Sequence, residues 1–286
     1  MTHFVRSVLV VVCLVTALGS PARGDSSIQR PDGVITLTAD VPTDQHAWKY
    51  KATRWGMYDV KVDAVVTDPA QGPGTGEAAY DITVTVGDEK NPLTAPIPVM
   101  DKDAAIGLDL GRVYVAKAGE VQITARGRGA RIHRVTLTPA PEGGPIRQAD
   151  DGSILLHSRD ATVHGVTLRY EPKPEKNTLG YWSNPADSAS WTFTVTQPGT
   201  FTVELLHGCG KGHGGSIATV TLGSASLTFT VEETGPSWQS FIARQVGTLT
   251  IDTAGQHTLT LAAKSKAKAA VMDCRQIRLI PVPPVK

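Results

Sequence analysis

The chain has 286 residues with 28 basic and 27 acidic side chains, a near-neutral balance that gives no electrostatic footing for general binding to nucleic acid or to a membrane surface. Aromatic residues are few, at 6%, yet unevenly placed, and the five tryptophans are Trp48, Trp55, Trp182, Trp191 and Trp238.

At the start, Arg6 precedes an apolar run from Val8 to Leu18, and the small residues Ala22 and Gly24 suit a cut after Gly24. That is the layout of a secretory signal peptide over residues 1–24, and the run is too short to span a bilayer. Cys13 lies in the run without the small residues of a lipoprotein processing site. The mature chain is therefore expected to be secreted or periplasmic, with no membrane-inserted segment. Cleavage removes Arg6 and Arg23, so the 28 basic residues fall to 26 against 27 acidic ones. About 260 residues remain, enough for two domains of ordinary size.

Residues 25–33 are polar and read as a leader. From Val34 to Pro139 short valine- and threonine-rich stretches alternate with turn residues: Val34–Leu37, Trp48–Ala52, Tyr58–Val66, Tyr80–Val86, Val113–Val115, Val121–Ala125 and Val135–Leu137. Helical spacing of apolar residues is absent over three turns, so the spacing predicts an all-β domain over 34–139, closed as a sandwich or jelly roll. Residues 140–152, rich in proline, glycine and charge and without periodicity, read as a linker. A second β-domain follows over 153–281, with a proline-rich tail at 282–286. Its expected strands are Ile154–His157, Trp191–Val195, Phe201–Leu206, Ile217–Leu222, Leu227–Val231, Leu249–Ile251, His257–Leu261 and Met272–Leu279.

The two halves repeat. Trp48, Gly56, Tyr58, Val60 and Val62 lie about 143 positions before Trp191, Gly199, Phe201, Val203 and Leu205. Leu110–Gly119 lies over Val246–Gly255 without a gap, and each half closes with an apolar strand ending in proline, at Pro139 and Pro281. In the last strand Met272 and Cys274 share one parity while Ile277 and Leu279 share the other. A bulge near Arg275-Gln276 would keep all four in the core.

Motifs for catalysis are missing: no HExxH, no paired CxxC, no GxSxG and no GxxxxGK[ST]. His207, Cys209 and His213 form an HxCxxxH run, but the glycines around Lys211 make it flexible and a lysine among the ligands disfavours a cation. The sequence requires no cofactor and is silent on a structural calcium. An oxidising compartment permits a bridge between Cys209 and Cys274, and two separately buried thiols fit as well. Trp191 and Trp48 alternate in phase with core residues. Tyr181 and Trp182 instead sit in the turn-rich loop NTLGYWSNPADSAS, and Trp238 in ETGPSWQS. An indole or phenol on a loop is a flat apolar plate on which a sugar ring can stack; the alternative is that these rings plug the end of the sandwich. Lys211 and His213, in GCGKGHGG, and Arg275 add a basic theme, because glycines let backbone amides and a lysine approach an anion. The other basic group, Lys264, Lys266 and Lys268, reads as a solvated hairpin tip.

Asn177 to Leu206, NTLGYWSNPADSASWTFTVTQPGTFTVELL, and Thr234 to Leu279 resemble the family 6 carbohydrate-binding modules and their galactose-binding-like relatives. The stretches LHSRDATVHG, LGYWSNPADSASW and GCGKGHGGS are similar to β-sandwich domains appended to secreted bacterial sulfatases, and the first half resembles the same fold more weakly. The resemblance implies a non-catalytic jelly roll that binds polysaccharide, with Tyr181 or Trp182 and Trp238 near the sugar-stacking positions. It also implies a secreted sulfatase or glycoside hydrolase as partner. Two departures stand out. Val271 and Met272 precede Asp273 where such modules often carry a sugar-binding asparagine, and the C/S-x-P-x-R motif of a sulfatase nucleophile does not occur. The expectation is a secreted protein of two tandem galactose-binding-like sandwiches. Its second copy would bind a polysaccharide, sulfated or acidic, through Tyr181, Trp182, Trp238, Lys211, His213 and Arg275. The rival readings are a structural or protein-interaction module, and a hydrolase or lyase whose carboxylates converge in a cleft.

Overall fold

The computed structural model describes residues 26–68, 80–88 and 92–283; the segment read as a signal peptide, residues 1–24, lies outside them. Among the described residues the regular structure is β-strand apart from one 3-10 turn, Ser158–Asp160. The first half comprises β1 (Ser26–Gln29), β2 (Ile35–Thr43), β3 (Gln45–Ala52), β4 (Gly56–Val66), β5 (Asp81–Val86), β6 (Leu93–Pro96), β7 (Ala105–Val115), β8 (Gly119–Gly127) and β9 (Ala130–Ala140). They form two sheets, ordered β1-β2-β9-β4-β7 and β3-β8-β5-β6. Residues of the expected leader thus join a sheet, Ser26 pairing with Thr38. In β4 the residues Tyr58, Val60, Val62, Ala64 and Val66 are buried while Asp59 and Lys61 face water. A slip of one residue would expose all five, so burial sets the register.

The second half comprises β10 (Ile146–Arg147), β11 (Ile154–His157), β12 (Thr162–His164), β13 (Arg169–Glu171), β14 (Thr178–Gly180), β15 (Ser188–Val195), β16 (Gly199–Gly208), β17 (Ile217–Leu222), β18 (Ala225–Thr230), β19 (Ile242–Ile251), β20 (Gly255–Ser265) and β21 (Asp273–Pro281). One sheet runs β10-β15-β20-β17-β18, with β12 also on β15; the other runs β13-β14-β21-β16-β19, with β11 also on β21. Within the stretch read as a linker, Ile146-Arg147 adds as a parallel strand beside Phe193-Thr194. Each half encloses its own hydrophobic core.

The halves are two copies of one topology. The order β9-β4-β7 recurs as β21-β16-β19, and β3-β8-β5-β6 recurs as β15-β20-β17-β18. Even an irregularity is repeated. Val60 pairs with Gly111 and Lys61 with Asp109, skipping Leu110. Val203 pairs with Gly247 and Glu204 with Gln245, skipping Val246. Gly111 and Gly247 both take positive φ, 110° and 143°, where a side chain would be strained, so the aligned glycines have a backbone cause. The bulge expected in the last strand is also present: Leu206 pairs with Gln276 and His207 with Cys274, leaving Arg275 unpaired. Met272, Cys274, Ile277 and Leu279 are all fully buried as a result.

The two sandwiches meet over a polar junction. Arg54, 3% exposed, donates to the carbonyls of Val163 (3.2 Å) and Gly165 (3.2 Å), and the Gly165 amide donates to Asp32 O (3.0 Å). The Trp55 indole donates to Tyr170 O at 2.8 Å. Backbone carbonyls of one copy are thus satisfied by side chains of the other, which ties the copies together directionally.

Candidate functional site

The residues singled out from the sequence lie on the outer face and loops of the β13-β14-β21-β16-β19 sheet, where they separate by burial. Tyr181 and Trp182 are neighbours with opposite fates. Tyr181 sits in the left-handed region at φ 57° and is 49% exposed, whereas Trp182 is 0% exposed and donates from Nε1 to Asp187 O at 3.0 Å. A left-handed non-glycine residue costs about 1 kcal/mol, and here it reverses the chain so that one ring faces out and the next enters the core. Trp182 therefore cannot stack on a ligand, a correction to its expected role: an indole of that size is worth more to the core than to the loop. Its acceptor residue, Asp187, is fully buried and takes bonds from the amides of Val166, Thr167 and Leu168, the Thr167 hydroxyl and the Asn184 amide, which fixes the loop beneath Tyr181.

Trp238 is half-buried, packed against the core on one side and against His213 on the other, with ring centroids 4.9 Å apart. Lys211 is exposed at a tight turn closed by His213 N to Gly210 O (3.1 Å). The neighbouring Gly212 amide donates to the Glu233 carboxylate at 2.8 Å, so the anion donor of this glycine loop is already met from within the protein. Arg275, the bulged residue, is likewise engaged. Its guanidinium donates to Lys176 O (2.6 Å) and Glu175 O (3.0 Å) and lies 3.8 Å from the Phe241 ring centroid, so it braces the 173–177 turn.

Between Trp238 and Tyr181 lies a pair of carboxylates that sequence reasoning did not assign. Glu171 and Asp273, each 6% exposed, flank Gly180: a Cβ there would fall 2.2 Å from Glu171 Oε1 and 3.3 Å from Asp273 Oδ1. Lys176 pairs with Glu171, and Gln239 donates to Asp273 Oδ2 at 3.4 Å. Burial pushes the Asp273 carboxyl up to about 7, reinforced by the Glu171 charge and opposed by Lys176 and the Gln239 bond. Opposite Asp273 in the sheet stands Gly208, whose Cβ would meet the Trp238 carbonyl at 1.9 Å; the ETGPSWQS loop can lie on the sheet only over a glycine. The only signals in the sequence were the two small residues and the charged segment RYEPKPEK.

On its far side Tyr181 faces the first sandwich. Its ring meets Trp55 edge-on at 5.5 Å, and the Arg169 guanidinium lies 4.3 Å from the Trp55 centroid and 4.2 Å from that of Tyr181. These rings open onto a cleft of about 380 Å³ between the copies, bordered also by Tyr114, Lys173 and Lys176.

The bridge that an oxidising compartment would permit between Cys209 and Cys274 is not made; both thiols are free and buried. The residue opposite Cys274 on β16 is His207, while Cys209 lies beyond the end of that strand, so the two are not cross-strand partners. Burial raises both thiols, Cys209 to about 11, and lowers the His207 imidazole. No group of three or more His, Cys, Asp or Glu side chains suited to a metal ion is found among the described residues.

Residues 169–280 match a family described as a domain of unknown function, DUF5077. No curated protein matches the chain. Among solved structures the chain is similar to a xanthan lyase from Paenibacillus, at 13% identity and a TM-score of 0.36, covering 91% of this chain and 25% of that one. It is similar to the C-terminal family 6 carbohydrate-binding module of a marine laminarinase from Zobellia galactanivorans, at 18% identity and a TM-score of 0.36, covering 45% of this chain and 98% of the module. It is also similar to a family 35 carbohydrate-binding module from Clostridium thermocellum, at 14% identity and a TM-score of 0.31, covering 48% of this chain and 97% of that one. The chain thus spans about a quarter of the length of the lyase and about half of it is matched by each isolated module.

Proposed function

We propose that the protein is a secreted, non-catalytic polysaccharide-binding protein whose second sandwich presents the sugar-contacting surface. Tyr181 carries this reading. A half-exposed phenol is held at a strained backbone position by a loop that Asp187 and Trp182 anchor from below, and strain of that kind persists where a side chain must be presented in one pose. Trp238 offers a second, partly exposed ring, and Gln239 and Lys176 offer polar groups between the two. Stacking contacts of this type contribute about 1 kcal/mol each, so dissociation constants in the micromolar to millimolar range follow. A sulfatase or glycoside hydrolase delivered to the same polysaccharide is the partner class that the sequence resemblance suggests.

A hydrolase would use Asp273 and Glu171, the carboxylates that converge. Both lie beneath other side chains and Lys176 already neutralises Glu171, so the pair is poorly placed to reach a glycosidic bond. The burial of Trp182 favours the rival reading of a protein-interaction module. Affinity electrophoresis of residues 25–286 through gels containing neutral or acidic polysaccharides separates these readings. Retardation that is lost in Tyr181→Ala, with folding intact, is the expected result; migration unaffected by every polysaccharide would overturn the proposal in favour of protein interaction.

A further inference from the structure

The junction between the sandwiches buries two arginines. Arg54 and Arg169 are 3% and 8% exposed, and neither has a carboxylate within ion-pair distance among the described residues. Arg54 donates only to carbonyls, and Arg169 donates to Thr167 O at 2.9 Å and is otherwise held between the Trp55 and Tyr181 rings. Burial disfavours a guanidinium charge, and the Arg169 group is shifted down from its ordinary value although the Glu171 carboxylate acts in the opposite direction. Rings supply a partial counter-charge through their faces; Glu171, which also lines the cleft, is paired with Lys176, and Glu142 acts on Arg54, so Arg169 and Lys173 are the cations left in excess of these carboxylates. Lys173, exposed at the rim and without an ion pair among the described residues, adds to this positive charge.

This field opens onto the cleft between the copies. Its volume of about 380 Å³ lies within the roughly 300–1,000 Å³ range of small-molecule sites. One wall, Trp55 and Tyr114, belongs to the first sandwich; the other, Tyr181, Lys173, Lys176 and the Glu171 that Lys176 neutralises, belongs to the second. The Tyr114 ring is half-exposed, and Tyr114 and Ala116 border a second hollow of about 540 Å³ on the first sandwich, so the two hollows adjoin. Two adjoining hollows that share Tyr114, the second bordered also by Asp88, Lys117 and Glu120, suit a chain of sugar rings better than a single compact ion.

We propose that this inter-domain cleft binds an anionic saccharide unit of a polysaccharide, with Tyr114 and Tyr181 packing on the sugar and Lys173 and the Arg169 field receiving its carboxylate or sulfate. The proposal rests on the polysaccharide-binding reading and adds to it a site that neither sandwich contains alone. It also relocates anion recognition from the Lys211 loop, where Glu233 already occupies the Gly212 amide.

The test uses the chain from residue 25 onward, with a polyuronate, a sulfated galactan and a neutral glucan as probes, measured by titration calorimetry at low and moderate salt. Binding to the polyuronate or the sulfated galactan, weakened about tenfold by the higher salt, is expected. Lys173→Glu and Tyr114→Ala should each weaken it at least tenfold, while Lys264→Glu, the same charge change at an exposed position near the end of β20, which is a strand and not the hairpin tip expected from the sequence, should leave it within twofold. The polyuronate and sulfated arms distinguish the two anion sources. If Lys264→Glu weakens binding as much as Lys173→Glu, attraction is diffuse and the cleft is refuted. If anionic chains bind but neither cleft substitution matters, the polysaccharide reading stands and the cleft falls; binding to the neutral glucan alone refutes the anionic class. No binding to any probe overturns both. Lys173 is fully on the surface, so Lys173→Glu decides the matter even if Tyr114→Ala fails to fold.

Discussion

Asp273 makes stability depend on pH in a direction opposite to that of an ordinary surface carboxylate. Its carboxyl is 6% exposed and lifted from 3.8 to about 7, chiefly by burial. The folded chain therefore holds this proton to higher pH than the unfolded chain does. The resulting stability is complete below about pH 4 and is lost as pH rises through about 7. Three pH units at about 1.4 kcal/mol each set a ceiling of about 4 kcal/mol for the loss. Glu142, lifted to about 7 by burial, contributes in the same window, so the wild-type slope has two sources. In Asp273→Asn the first source disappears, and an amide can still accept the Gln239 bond. Urea unfolding at pH 4, 6 and 8 should show the variant close to wild type at pH 4 and more stable at pH 8, by as much as about 4 kcal/mol. An unchanged slope, or a variant weaker than wild type at pH 8, would mean that Lys176 holds Asp273 ionised, and the account of a desolvated acid would be wrong.

Two further outcomes follow from the same face of the molecule. Trp182→Ala should lower stability by about 3–5 kcal/mol, because it empties a fully buried indole site and strips Asp187 O of its donor, whereas Tyr181→Ala next to it should cost far less; equal losses by thermal denaturation would contradict the opposite burial of the two rings. The thiols of Cys209 and Cys274 should resist a thiol reagent in the native protein and react fully in denaturant without reductant, and a failure to titrate both would reveal a bridge.

Strand alternation, the doubled topology and the bulge at Arg275 were legible in the sequence because each follows from a short-range rule: period-two burial, a glycine at positive φ, a parity slip within one strand. The strands that escaped notice, β1, β6, β10, β12, β13 and β14, are two to four residues long, too short for a period to register. Their pairing is dictated by partners distant in the chain, as when Leu179 pairs with Cys274.

The site divides along the same line. Tyr181 and Trp182 occupy one loop and share one chemistry, so the sequence by itself determined that an aromatic pair stands at the end of the sandwich. Only the tertiary structure decided which ring is offered to solvent, through a left-handed backbone at residue 181 and the Asp187 anchor beneath it. The Lys211 loop looked like an anion receptor until Glu233, distant in sequence, filled it. Trp55, Tyr114 and Arg169 carried no motif at all. Their significance comes from the β3–β4 turn of one sandwich meeting residues 163–170 of the other, and long-range packing of that kind leaves no local periodicity for a sequence to display.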